Sequence, residues 1–196
     1  VLPKHIVADA GYGSEQNYND ILLNRKREAL ITYNLYLKEQ KKKYKQNPLN
    51  PDNWQYCEET DTYICPNQKR LEFQYHSVRT DRTGFQRRFK IYECEDCSGC
   101  PFRSSCTKAK EGNNRKLMVN EQWEQQKVYV RAKLSEEKTS SIYRKRKIDV
   151  EPVFGFLKAN LRFTRFSVRG KSKVENEMGL ALMAVNLRKF TAKQLR

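Results

Sequence analysis

KHIVADAGYGSEQNYNDILLNRKREALITYNLY, residues 4–36, decides how the rest of the chain is read. Its opening, KHIVAD, runs through β-branched and apolar residues to an acid and then into AGYGS, the pattern of a strand entering a turn. Asp9 therefore stands at the C-terminal end of a strand. Ser14 is placed to cap a helix over Glu15–Arg25, where Tyr18, Ile21 and Leu22, with Arg25 next in the series, keep the 3.6-residue period. Glu28–Tyr36, EALITYNLY, reads as a second strand. Strand, helix and strand in this order predict a parallel pair joined by a right-handed crossover, an α/β unit.

Outward from that unit the chain changes character twice. Residues 38–53 are rich in Lys, Asn and Pro and read as a connection or an exposed helix with little core. From 54 to 120, short alternating segments (TYICP, LEFQYHSVRT, FQRRFKIYEC, RKLMVN) are separated by turn residues such as Asp81, Gly84, Gly112 and Asn113, which predicts a small antiparallel, cysteine-rich insert. From Glu121 the pattern is helical, in three stretches: EQWEQQKVYVRAKLS, TSSIYRKRKIDVEPVFGFLKANL and KVENEMGLALMAVNLRKFTAK. In the last, Met178, Leu182, Val185 and Leu187 suggest an ordinary packing helix. The expected division is 1–37 and 121–196 as two parts of one α/β core, with 38–120 as a basic linker and insert.

Charge narrows the function. The 196 residues hold 39 Lys+Arg against 23 Asp+Glu, a formal charge of +16, with only 38% hydrophobic residues. An excess of that size repels itself in a compact state unless an anion compensates it, so a polyanionic partner is expected. The basic runs KKKYK, RRFK, YRKRK and RFTRFSVRGKSK lie along the whole chain, and the last interleaves Arg165 with Phe163 and Phe166. No apolar window of about 18 residues is present, and VLPKHIVADA lacks the order of a signal peptide, so a soluble cytoplasmic protein without a membrane partner is expected.

The six cysteines fall at 57, 65, 94, 97, 100 and 106. In a cytosolic chain thiols stay reduced, so metal explains them better than disulfides. The run CEDCSGCPFRSSC spaces Cys94, Cys97, Cys100 and Cys106 by two, two and five residues, as in zinc knuckles and ribbons. Cys65, in YICP, supplies a distant partner. The favoured zinc set is Cys65, Cys97, Cys100 and Cys106, with Cys94 as the substitute and Cys57 the least favoured. An iron–sulfur cluster and a metal-free thiol core are the competitors.

Asp9 and Glu151 form the candidate acidic pair. Glu151 opens EPVFGFLK, where Val150, Val153, Phe154, Leu157 and Leu161 define one helical face, while Glu151, Gly155 and Lys158 share another. Carboxylates at a strand end and on a packed helix could meet around divalent magnesium, whose hard oxygen coordination suits phosphoryl transfer. Pro152 suits the first turn of a helix, which gives Glu151 a purely structural reading as well.

VADAGYGS, YICP, CEDCSGCP and YRKRKIDVEPVFGFLKANLRFTRFSVRGKSKVENE resemble, in that order, the C-terminal half of bacterial DDE transposases of the insertion-sequence 1182 type. These belong to the wider group with a Tyr-Arg-Glu-Lys signature. The resemblance implies a partial RNase H-like α/β fold lacking its first strands, interrupted by a small cysteine-rich β insert. It carries the second catalytic acid to Asp9 and the third to Glu151, with Tyr143, Arg146 and Lys158 in the accompanying positions and Lys147 as the alternative to Arg146. Magnesium or manganese would sit on Asp9 and Glu151. Tyr143, Arg146, Lys147, Lys158, Arg162, Arg165, Arg169 and Lys171 would face double-stranded DNA at the transposon ends.

Further expectations follow from the resemblance. The function is DNA transposition by strand cleavage and transfer, in a bacterial, nucleoid-associated protein that forms a homo-oligomer at full length. The first aspartate of the family belongs upstream of Asp9, so a missing N-terminal portion is expected to supply it and this chain to be inactive alone. The competing reading is a noncatalytic nucleic-acid-binding remnant with a zinc-stapled basic module. A redox protein is disfavoured, because no C-x-x-C lies beside a redox fold and the charge would be unexplained.

Overall fold

The computed structural model describes residues 2–149 and 151–194; the side chains of 149, 151, 193 and 194 also lie outside the described set. The chain divides into two compact units, Val1–Ser135 and Glu136–Arg196. The first is mixed α/β and the second, among the described residues, is helical.

In the first unit, strand β1 (His5–Ala8) pairs in parallel with β2 (Glu28–Ile31), in the register His5 to Glu28 through Ala8 to Ile31. Between them Asp9 and Ser14 cap successive turns: Asp9 Oδ1 accepts the Gly11 N–H at 2.9 Å, and Ser14 Oγ accepts the Asn17 N–H at 3.3 Å. Helix α1 (Glu15–Asn19) then widens into a π turn over Asp20–Asn24. The second strand stops at Ile31, short of the expected Tyr36. Beyond it Tyr33 is buried, and its hydroxyl donates to Glu39 in the short helix α2 (Tyr36–Glu39), a tertiary bond that a continued strand would not make.

Lys42–Lys45 form a single turn, α3, within the basic connection. A five-stranded antiparallel meander follows in the order β3 (Gln55–Cys57), β4 (Thr62–Ile64), β5 (Arg70–Thr80), β6 (Gln86–Cys94) and β7 (Lys116–Val119). A bulge between Phe73 and Tyr75 shifts the β5–β6 register. Its core is Trp54, Leu71, Tyr92, Cys94 and Cys97. One further turn, α4 (Arg103–Cys106), lies in the loop before β7.

Helix α5 (Glu121–Ser135) belongs to the first unit and packs on β2 and α1. Its Trp123 ring lies 5.9 Å from Tyr18 and 5.8 Å from Tyr33, and Tyr129 Oη accepts the Ala29 N–H at 3.2 Å. The buried set Tyr18, Ile21, Ala29, Leu30, Ile31, Tyr33, Val130 and Leu134 closes this core.

The second unit holds α6 (Glu137–Asp149), α7 (Glu151–Ala159) and α8 (Lys171–Gln194). The helical stretch expected from Thr139 to Leu161 is helical over Glu137–Asp149 and Glu151–Ala159; Val150, between them, lies outside the described residues. The buried side of α7 also differs from expectation: Leu157 is fully buried and Val153 half-buried, whereas Phe154 and Leu161 are exposed. On α8, Val185 is buried and Met178 half-buried, but Leu182 and Leu187 are exposed. Among the described residues no helix is long and apolar enough to cross a membrane.

Candidate functional site

Asp9 follows β1 directly and is exposed at its C-terminal end. The turn that carries it is tightly seated. A Cβ on Gly13 would lie 2.1 Å from the Thr32 carbonyl oxygen, so only glycine lets the turn approach the end of β2. Glu15, next after the Ser14 cap, is buried: its Oε2 accepts from Asn120 Nδ2 at 2.6 Å and lies 3.5 Å from Arg87 Nε. Burial pushes the Glu15 carboxyl above its ordinary value, against the pull of Asn120 and Arg87. Asn120 Oδ1 in turn caps α5 by accepting the Trp123 N–H at 3.0 Å. Arg87 also pairs with Asp81 at 3.2 Å, and Asp81 Oδ1 accepts from the Thr83 and Phe85 amides to close the β5–β6 turn. Thr83 Oγ1 reaches Gln16 at 3.3 Å. One buried carboxylate therefore ties the Asp9 turn, the β5–β6 hairpin and the start of α5 together.

This changes the reading of RRFK. Arg87 is spent on Glu15 and Asp81, and Lys90 on Glu121 at 2.7 Å and Asp61 at 3.6 Å, so half of that run is internal pairing; Arg88 is exposed. Glu15 and Asn120 were not singled out in the sequence. The Asn120 cap before an acidic first turn was the available signal.

Asp9 belongs to the first unit and Glu151 to the second. Glu151 opens α7, and its side chain lies outside the described residues. The accompanying cations sit in the second unit. Tyr143 and Arg146 are half-buried and stacked, with the guanidinium 5.6 Å from the ring centroid, which also separates Arg146 from the exposed Lys147. Lys158, Arg162, Arg165, Arg169 and Lys171 are all exposed.

Five cysteines, Cys65, Cys94, Cys97, Cys100 and Cys106, line one cavity of about 20 Å³, room for about one water. Arg115 closes it: its N–H reaches Cys97 Sγ at 3.3 Å, its Nη1 reaches Cys106 Sγ at 3.1 Å, and its guanidinium lies over Trp54 at 4.8 Å. Burial, with Cys97 and Cys65 nearby, pushes the Cys94 thiol up to about 12. Cys57 stands apart, its thiol held below the usual value by the Thr60 hydroxyl. Among the described residues no group of three or more His, Cys, Asp or Glu is arranged to hold a metal ion. The zinc expected on the cysteines is therefore unsupported by the geometry.

The chain belongs to the DDE transposase family: a family profile described as "Transposase DDE domain" matches residues 64–191, more than half of its length. Membership implies an RNase H-like core, and the family generally uses magnesium or manganese. Glu151 lies within the matched residues, whereas Asp9 lies ahead of them. The chain is also 42% identical over 78 residues to "Type II restriction enzyme CeqI" of Rhodococcus hoagii, across 40% of this chain and 25% of that protein. It thus spans about a quarter of that relative's length. No solved structure matches it.

Proposed function

We propose that the chain is the C-terminal part of a DDE transposase of the insertion-sequence 1182 type, with Asp9 and Glu151 as two of its catalytic acids. The family match over residues 64–191 carries this reading, and the exposed strand-end carboxylate of Asp9 supports it. Asp9 and Glu151 would hold magnesium or manganese, which supplies activation of water or a 3′ hydroxyl and neutralises charge during in-line displacement at a DNA phosphodiester.

The chain's own work is binding and orientation. Arg146 would grip a phosphate through its planar fork, braced by Tyr143, while Lys147 and Lys158 act as point charges. Arg162, Arg165, Arg169 and Lys171 would follow the DNA backbone at the transposon ends, so binding should weaken steeply with salt. The sheet of residues 54–120 is read as an insert in the core. Zinc enters this reading through the sequence spacing of Cys65, Cys97, Cys100 and Cys106 alone, with Cys94 as substitute. Metal analysis of the purified protein checks it: about one zinc per chain supports the site, and none removes it.

The deciding experiment uses the complete reading frame that contains this chain, in a transposition assay with Asp9→Asn and Glu151→Gln. Each should abolish transposition while duplex binding persists. Transposition that survives either substitution would sink the assignment. The alternative is a noncatalytic nucleic-acid-binding remnant. It predicts DNA binding with no transposition by the unsubstituted protein.

A further inference from the structure

From Pro152 to Val174 the chain carries six Lys and Arg residues and no acid. Residues 160–170, between α7 and α8, form the middle of this segment. Its first half folds back on α7, with the Phe163 N–H donated to the Leu157 carbonyl at 2.9 Å, the Phe163 and Phe166 rings edge to face at 5.5 Å, and Arg162 at a φ of 53°. Its second half is held differently. Glu177 of α8 accepts from the Ser167 N–H with both carboxylate oxygens, at 2.9 and 3.1 Å, and from Ser167 Oγ at 2.7 Å. The Ser167 hydroxyl and amide hold the Glu177 carboxyl below its ordinary value, so it is ionised at neutral pH.

Ser167 lies midway between the exposed Arg165 and Arg169. An anion placed against a basic DNA-facing loop opposes DNA binding unless its job is to shape that loop. We infer that Glu177 is a positioning residue for DNA: by fixing Ser167 it pre-orders the segment bearing Arg165 and Arg169, so that phosphate contact need not order it. The inference rests on the DNA-binding reading of this loop.

Charge and positioning predict opposite signs, which makes the test sharp. Electrostatics alone says that Glu177→Gln, which removes a negative charge, strengthens binding. Positioning says that it weakens binding. The assay is fluorescence anisotropy of the full 196-residue chain with labelled random-sequence duplex DNA over a salt series. Glu177→Gln and Ser167→Ala should each weaken binding about 3- to 10-fold and reduce the log–log salt slope by roughly 1 to 2. Glu175→Gln is the control. It neutralises an acid on the same helix whose partner is Lys171, at 3.9 Å, and should leave binding unchanged or tighter.

Equal or tighter binding by Glu177→Gln overturns the inference. Ser167→Ala removes a single donor, so it decides the matter if Glu177→Gln lowers helicity by circular dichroism; unchanged affinity there is equally fatal. Failure of the underlying reading looks different: Arg165→Glu/Arg169→Glu would then leave DNA affinity unchanged.

Discussion

Asn120→Ala should be among the most damaging single truncations in the first unit. Asn120 is buried and serves two partners at once, donating to the Glu15 carboxylate at 2.6 Å and capping α5 through the Trp123 amide at 3.0 Å. A hydrogen bond to a charged group contributes about 1.5–3 kcal/mol, and loss of an N-cap costs about 0.5–2 kcal/mol. The expected loss is about 2–5 kcal/mol, or a fall in Tm of roughly 6–20 °C for a unit of this size. Both tryptophans, Trp54 and Trp123, lie in this unit, so intrinsic fluorescence follows its unfolding alone. Glu15→Gln should be milder, because the amide oxygen still accepts from Asn120 while a buried charge is removed. Its pH dependence gives a second check. Burial raises the folded pKa of Glu15, so its stabilising contribution is complete below the unfolded carboxylate pKa of about 4.3 and is lost as pH rises through the folded value. Glutamine does not titrate, so the stability advantage of wild type over Glu15→Gln should shrink from about pH 4 to pH 7. A widening gap, or an Asn120→Ala loss no larger than that of Glu15→Gln, would refute the idea that this carboxylate and its amide partner hold the unit together.

Three other substitutions probe separate parts of the same unit. Gly13→Ala forces a Cβ to 2.1 Å from the Thr32 carbonyl, and thermal melts should show a loss of at least about 1–3 kcal/mol; a neutral result would mean the turn is not seated on β2. Arg115→Ala removes the stack on Trp54 and the contact to Cys106, so Cys106 should react faster with a thiol reagent and stability should fall by about 1–2 kcal/mol. Lys127 is buried beside Glu39, at 3.7 Å, and pairs with Glu124 at 2.8 Å. Lys127→Ala should therefore cost about 3 kcal/mol, the low end for a broken buried pair because Arg131 still reaches Glu39 at 3.1 Å; chemical denaturation measures it, and a change below about 0.5 kcal/mol would contradict it.

Local patterns were legible in the sequence and distant partnerships were not. The strand ending at Asp9, the Ser14 cap and the β4 to β7 strands follow from residue type and alternation, signals that act within a few positions. Strand β3 was missed because three residues, Gln55–Cys57, carry no readable period. The length of β2 depended on Tyr33 finding Glu39, and the fate of Arg87 on a glutamate far away in the chain, neither of which periodicity encodes. Cysteine spacing was legible as local proximity, since short loops bring Cys97, Cys100 and Cys106 together and Cys65, just after β4, lines the same cavity. It did not determine a ligand set, because Arg115, seated among the thiols, arrives from a separate segment.

The contrast between the two acids named first in the sequence and those found in the structure bears on how Asp9 should be tested. Glu15 binds both Asn120 and Arg87, and Glu177 takes three hydrogen bonds from Ser167, so replacing either disturbs a contact that holds local structure. Among the described residues Asp9 makes one side-chain bond, to the Gly11 amide, on a turn that Gly13 and the Ser14 cap already fix. Asparagine at that position can accept the same N–H, and Asn and Asp cap turns about equally well. Asp9→Asn should therefore leave the tryptophan-monitored Tm within about 2 °C of wild type, a change below about 0.5 kcal/mol, while removing the charge that a divalent cation needs. A loss of transposition with an unchanged melt would place the role of Asp9 in chemistry. A large fall in Tm would show instead that the carboxylate holds the turn, and the strand-end position would lose its value as evidence for catalysis.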